Sequence, residues 1–180
     1  MKRALTLCAA LALATPVAAD VRASYVLDGR TLFSMLIPDF WTLKTGGERL
    51  ITPPDEDIAR PAPQIMSAHP TVEPDVWIGA FSPRGIRTVA EGRAYLAEIG
   101  QFLTTTPEIT STGPGRIGGM AAHLIKGTGR RDGRDIAFTI AVLDLPGQNV
   151  GIVAGIAEQG ADPALVAQLN ETFASVRAAR

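Results

Sequence analysis

Cysteine is nearly absent from this chain of 180 residues, and the single one, Cys8, lies in an apolar N-terminal stretch. The rest of the sequence can therefore form no disulfide and use no thiolate. Only two histidines are present, His69 and His123, and neither belongs to a short-spaced metal-binding pattern. A zinc site would need carboxylates from elsewhere in the chain. The sequence predicts neither a metal site nor a cofactor site.

Several enzyme motifs are also missing. The sequence contains no G-x-S-x-G, S-x-x-K or H-E-x-x-H pattern. Gly113, Gly115 and Gly118 do match the dinucleotide-binding pattern G-x-G-x-x-G. However, Pro114 stiffens the segment and the residues that follow have the pattern of a strand, whereas a dinucleotide site needs a helix there. We interpret these glycines as part of an ordinary turn.

The chain has no apolar run of the roughly 20 residues that a membrane-spanning helix needs. Its N-terminus instead has the three parts of a secretory signal. Lys2 and Arg3 are basic, the apolar stretch follows, and Pro16 precedes small residues up to Ala19. The sequence predicts a signal peptide over residues 1–19, a mature chain that begins at Asp20, and a periplasmic location without a stable membrane span.

A basic excess is absent as well. Removing 19 of the 180 residues leaves 161, with 15 basic against 18 acidic residues and a formal charge of −3. A nucleic-acid-binding protein would be expected to carry a basic face, so we predict no nucleic-acid partner. The remaining length is that of one domain with a sizeable core. We therefore expect residues 20–180 to form a single domain.

The pattern of apolar residues predicts an α+β domain with a largely antiparallel sheet and helices packed against it. Asp28-Gly29 between alternating apolar residues indicates a hairpin, and residues 76–81 form an apolar run typical of an interior strand. Short strands are expected near residues 49–52 and 64–68. After a turn-rich segment, three further strands are predicted, over residues 120–126, 135–143 and 149–156.

Two helices are predicted. Thr88 and Glu91 form a capping box before apolar residues at helical spacing, which indicates a helix over about residues 89–103. Asp162 and Pro163 begin the second helix, where residues 165, 169, 173 and 176 form an apolar stripe. We expect this stripe to pack on the face of the last strand that carries two glycines, because glycines permit close approach.

Two charged clusters are candidate ligand sites. Asp55, Glu56 and Asp57 lie in a proline-rich segment, residues 53–74, that is predicted to be mostly loop. They could offer oxygen ligands to calcium, but the alternating ligands of a calcium loop are missing and a solvated loop is favoured. Arg130, Arg131 and Arg134 flank Asp132-Gly133 and could bind a phosphate or an acidic partner. A charged hairpin tip that discourages strand pairing explains them equally well.

The chain resembles the PsbP-like superfamily, which includes DcrB-like bacterial envelope proteins. The resemblance rests on an early strand that runs into residues 38–41, of sequence PDFW, on a long strand after an arginine-rich turn, and on a closing helix. The long strand carries Phe138, Ile140 and Val142, and the helix carries Leu169, Phe173 and Ser175. The resemblance implies a protein that acts by binding other proteins, without a shared catalytic set.

Two functions remain open from the sequence. The favoured one is an exported non-catalytic envelope protein that binds or assists another macromolecule, with another envelope protein as the expected partner. The alternative is a periplasmic hydrolase that uses dispersed carboxylates together with His69 or His123, the two residues best suited to acid-base chemistry near neutral pH. No residue is assigned as catalytic, and neither histidine is expected to be needed for binding.

Overall fold

The computed structural model describes residues 19–47, 49–51, 60–100 and 103–179. The body of the predicted signal peptide and the acidic residues Asp55, Glu56 and Asp57 lie outside them. Twelve strands and two helices are formed by the described residues. In chain order they are β1 Asp20–Leu27, β2 Arg30–Pro38, β3 Trp41–Thr45, β4 Arg49–Ile51, β5 Arg60–Ala62, β6 Met66–Pro70, β7 Val76–Phe81, α1 Val89–Ile99, β8 Thr105–Ile117, β9 Met120–Arg131, β10 Arg134–Leu145, β11 Asn149–Glu158, α2 Pro163–Ala174 and β12 Arg177–Ala178.

The strands form one large sheet and two small ones. The seven-stranded sheet has the order β3-β6-β7-β11-β10-β9-β8, and every neighbouring pair in it is antiparallel. A three-stranded sheet has the order β1-β2-β12, and β4 pairs with β5. The predicted antiparallel sheet with packed helices is confirmed, but strands dominate the molecule more than a balanced α+β protein would suggest.

The first hairpin forms as predicted. Asp28 and Gly29 both have positive φ, 51° and 74°, which a two-residue turn between twisted strands requires. The turn places Tyr25 opposite Phe33, and their rings stack with centroids 4.9 Å apart. Trp41 is buried at the start of β3, whereas Phe40 remains 43% exposed. Of these two adjacent aromatic residues, only the tryptophan belongs to the core.

Helix α2 lies on the predicted face of β11. Asp162 caps it by accepting a hydrogen bond of 2.8 Å from the backbone N–H of Ala164. A Cβ atom added at Gly155 would lie 3.5 Å from side-chain atoms of both Leu169 and Phe173, so the helix is in direct contact with the strand there. Glycine thus leaves the space that the helix fills.

Helix α1 begins as predicted and ends early. Thr88 accepts a hydrogen bond of 3.2 Å from the backbone N–H of Glu91, whose carboxylate accepts one from the backbone N–H of Thr88. The helix ends at Ile99, and Leu103 lies beyond it in a turn. The prediction of a helix up to Leu103 was wrong in its C-terminal boundary. Gly100 follows the last helical residue, and glycine is a poor helix former.

Two other predictions need correction. The turn-rich segment before Met120 is mostly a strand, β8, which forms an edge of the large sheet. Edge strands tolerate Pro107 and Pro114, and register irregularities accompany Pro107. His69 lies on β6 and not in a loop, because that strand runs from Met66 to Pro70.

No helix among the described residues has the length and hydrophobicity to cross a membrane.

Candidate functional site

The two faces of the large sheet are covered differently. Helix α2 packs on one face, over Gly155, and is tied to β2 by a hydrogen bond of 2.8 Å from the backbone N–H of Leu36 to the Ser175 hydroxyl. Helix α1 lies on the opposite face. A Cβ atom at Gly92 would lie 2.7 and 2.9 Å from methyl groups of Val142 and Val150, so α1 makes its closest approach to the sheet at that glycine.

Between α1 and the sheet lies a cavity of about 940 Å³, which we call the α1 cleft. Its floor is made by apolar side chains of β9, β10 and β11. Its roof is one flank of α1, and the chain that leaves the helix closes one side. The floor residues are Ile125, Ile136, Phe138, Ile140, Ala154 and Ile156, and the roof residues are Ala90, Arg93, Ala94, Leu96, Ala97 and Gly100.

Small side chains line the helix side of the cleft. Ala90, Ala94 and Ala97 recur at helical spacing and form an exposed flank of α1, whereas Gly92 and Leu96 are the residues of this helix that are buried. The short alanine side chains leave open space beside the helix, next to the isoleucines of the floor. The cleft has the dimensions of pockets that hold drug-sized ligands, about 300 to 1,000 Å³.

The polar groups in the wall of the cleft are largely occupied by the protein itself. The Thr104 hydroxyl donates to the backbone carbonyl of Arg130 at 3.0 Å, and the Thr105 hydroxyl donates to the same carbonyl at 3.1 Å. The Thr112 hydroxyl lies 2.8 Å from Nε2 of His123. The cleft therefore offers a ligand mainly apolar contact, with few free hydrogen-bond donors.

Arg93 is the one charged side chain among the described residues that line the cleft. It is exposed, and it forms no hydrogen bond or ion pair with another described residue. Partial burial, and secondly the charge of Arg93, lower the pKa of His123 below its usual 6.5. The imidazole is therefore neutral at neutral pH, and Arg93 supplies the positive charge at this side of the cleft.

The structure keeps the two histidines apart. His69 lies on β6, where its Nδ1 is 2.8 Å from the backbone carbonyl oxygen of Pro70, and His123 lies on β9. Strands β7, β11 and β10 stand between β6 and β9. At about 4.8 Å per strand spacing the separation is roughly 19 Å. The sheet therefore does not bring the two histidines into one site.

The arginine cluster at the β9–β10 turn is used within the fold. The Arg131 guanidinium lies 4.9 Å from the centre of the Trp77 ring, a cation–π contact. Arg130 forms an ion pair of 3.2 Å with Asp135, and Arg134 pairs with Glu158. These contacts favour the structural interpretation of the three arginines over a phosphate site. No group of three metal-ligating side chains occurs within the described ranges.

No sequence pattern predicts the cleft. Ala94 fits the helical spacing of apolar residues in α1, yet it is exposed and lines the cleft. Phe138 and Ile140 were recognised as strand residues but not as the floor of a cavity. A small-residue stripe on a helix is a weak signal, because alanine also favours helices on any surface. The cleft becomes visible only in the three-dimensional arrangement of α1 and the sheet.

Comparison with known proteins places the fold. No family model matches the chain, and no curated protein matches it. Among solved structures, cyanobacterial PsbP (CyanoP) from Synechocystis sp. PCC 6803 superimposes with a TM-score of 0.52 and 10% identity, over 97% of this chain and 99% of that one. LpqN of Mycobacterium tuberculosis, described as involved in cell envelope biogenesis, gives a TM-score of 0.48 and 12% identity, over 90% and 91% of the chains.

A third solved structure, of a protein from Bacteroides thetaiotaomicron VPI-5482, gives a TM-score of 0.48 and 13% identity, over 83% of this chain and 46% of that one.

The described residues form a sheet-dominated protein with one helix on each face of its large antiparallel sheet. Its fold is PsbP-like, as the likeness to the cyanobacterial protein along nearly the whole of both chains shows. The resemblance inferred from the sequence is confirmed at the level of the fold.

Proposed function

We propose that this chain is an exported, non-catalytic protein of the bacterial cell envelope that binds another macromolecule and has a ligand-binding site in the α1 cleft. The observation that carries the proposal is the cleft itself, a cavity of about 940 Å³ with an apolar lining. Large apolar pockets with few polar groups are the usual form of ligand sites in proteins. Another envelope protein remains the predicted partner, and the cleft adds a separate site for an apolar ligand.

The lining of the cleft supports binding over hydrolysis. General acid-base catalysis requires a titratable side chain within hydrogen-bond reach of the reacting group. The described lining residues include no carboxylate and no imidazole. His123 lies beside the cleft and His69 lies four strand spacings from His123, so the described residues assemble no site for the histidine-dependent hydrolase.

Export is supported by the N-terminal sequence pattern, which predicts cleavage after Ala19. Mass spectrometry of the protein recovered from the envelope fraction should give an N-terminus at Asp20, within a residue or two. The first strand begins at Asp20, so this cut would leave every described strand and helix intact. Recovery of a chain that still begins at Met1 in the membrane fraction would contradict the prediction.

Filling the cleft should weaken ligand binding without unfolding the protein. Ala97 is exposed and lines the cleft. Ala97→Trp should occupy space that the ligand needs and weaken binding of a neutral naphthylamine fluorescent probe at least about tenfold, equivalent to about 1.4 kcal/mol. The matched control is Ala167→Trp, at an exposed position of helix α2. It adds the same side chain far from the cleft.

Replacing the two histidines provides a control in which binding should be retained. The combined variant His69→Ala and His123→Ala should fold and keep both probe binding and partner capture. Equal loss of probe binding in Ala97→Trp and Ala167→Trp would show that the probe does not use the cleft. A folded double-histidine variant that retains binding but loses cellular activity would instead favour the hydrolase.

A further inference from the structure

We propose that the α1 cleft binds an anionic amphiphile, its aliphatic tail in the cavity and its negatively charged headgroup at Arg93. This inference rests on the cleft being the binding site. It adds the chemical class of the ligand, which is determined by three separate features: the shape and chemistry of the floor, the occupied state of the wall hydroxyls, and the unpaired charge on the roof.

The tail is inferred from the floor and the length of the cleft. The floor consists of four isoleucines, Ala154 and one aromatic residue, Phe138, and the side wall adds Leu103 and Ile109 among threonines. The roof residues extend from Ala90 to Gly100, which is about 15 Å along a helix that rises 1.5 Å per residue. A long, aliphatic and wide cleft suits flexible hydrocarbon, which gains stability from each methylene that it removes from water.

An extended peptide fits this cavity less well. Each residue of a peptide carries a backbone N–H and C=O, and burying these groups without partners is costly. Three of the four threonine hydroxyls in the wall are engaged: Thr104 and Thr105 donate to the Arg130 carbonyl and Thr112 contacts His123, which leaves only Thr106. Hydrocarbon needs no such partners. The occupied hydroxyls therefore favour a tail without polar groups.

The charge of the headgroup is inferred from Arg93. This side chain lies on the same stripe of α1 as the alanines, reaches solvent, and has no partner among the described residues. No carboxylate occurs among the described lining residues to repel an anion. The planar guanidinium can donate two parallel hydrogen bonds to a carboxylate or a phosphate. A cationic headgroup would meet only repulsion there.

Displacement of the neutral naphthylamine probe from the purified protein, below the micelle concentration of every competitor, tests the proposal. The competitors are decanoate, dodecanoate and tetradecanoate, the alcohol of each chain length, lysophosphatidylglycerol, lysophosphatidylcholine and an apolar peptide. Affinity should rise about fourfold per added methylene. At equal length the anion should bind better than the alcohol. The tighter of carboxylate and phosphate competitors identifies the source of the headgroup.

Arg93→Gln should weaken binding of dodecanoate about two- to fivefold, the range for an exposed ion pair, and leave dodecanol unchanged. Arg87→Gln is the matched control, because Arg87 is also exposed and precedes α1 but does not line the cleft. A loss in Arg93→Gln that is specific for the anions supports the headgroup assignment. Equal losses in both variants would reduce it to a general effect of net charge and overturn it.

The possible failures are distinguishable. If alcohols and anions bind alike and Arg93→Gln changes neither, the anionic headgroup is wrong while the cleft remains a binding site. If affinity does not depend on chain length, or the apolar peptide competes better than every amphiphile, the tail assignment is wrong. If neither probe nor competitor binds, or Ala97→Trp has no effect on either, the proposed function fails together with this inference.

Discussion

Replacing Phe173 by alanine is expected to lower the free energy of unfolding by about 3 to 5 kcal/mol, the usual cost of deleting a buried aromatic side chain. Phe173 is only 8% exposed and contacts β11 at Gly155. The variant loses the stability that the ring contributes when folding removes it from water. It also leaves a cavity between the helix and the strand. Urea denaturation followed by circular dichroism measures it.

Phe40→Ala is the matched control, because it removes the same side chain from a position that is 43% exposed. Its cost should stay below about 1 kcal/mol, as for most surface substitutions. If the two variants lose equal stability, helix α2 does not pack on the sheet as described. Probe binding at the α1 cleft should persist in folded Phe173→Ala, since α2 lies on the opposite face of the sheet.

The parts of the fold that sequence predicted are those with local signals. Asp28-Gly29 specifies a tight turn by its backbone requirements alone, and the alternation on either side of it specifies which residues face inward. Likewise, Asp162 and Pro163 mark a helix start that needs no tertiary information. These elements form where the sequence predicts them because the local preferences agree with the packing.

Strand β8 could not be predicted because it lacks such local signals. Its two prolines and two glycines are typical of turns, and its burial pattern is exposed at most positions, so no hydrophobic alternation marks it. The strand is held by pairing with β9, whose length of 12 residues provides the template. Backbone pairing at the edge of a sheet overrides weak local propensity, and that contribution is visible only in three dimensions.

The α1 cleft is a still clearer case. The sequence identifies Phe138 and Ile140 as apolar strand residues, which is correct and implies burial under a helix. What it cannot show is that the exposed flank of α1, with Ala94 and Ala97, lies beside them and leaves open space there. The size of the cavity depends on where α1 lies on the sheet. The close contact at Gly92 fixes that position, and no local sequence pattern predicts it.

Gly118→Ala is expected to lower the free energy of unfolding by about 2 to 5 kcal/mol. Gly118 has φ of +58°, where a side chain costs about 1 to 2 kcal/mol. An added Cβ would also overlap the carbonyl oxygen of Val176, a backbone atom that cannot rotate away, and overpacking of this kind adds about 1 to 3 kcal/mol. The turn between β8 and β9 is therefore packed against the chain that leaves α2.

Gly119→Ala separates the two contributions. Gly119 has φ of +85° and no atom within 4 Å of an added Cβ, so only the backbone cost of about 1 to 2 kcal/mol applies. The excess loss in Gly118→Ala measures the contact with Val176. Gly113 and Gly115 lie within β8, so the interpretation of the G-x-G-x-x-G glycines as a turn was wrong for these two and holds for Gly118. If both alanine variants lose the same small amount, close packing does not explain why glycine occupies position 118.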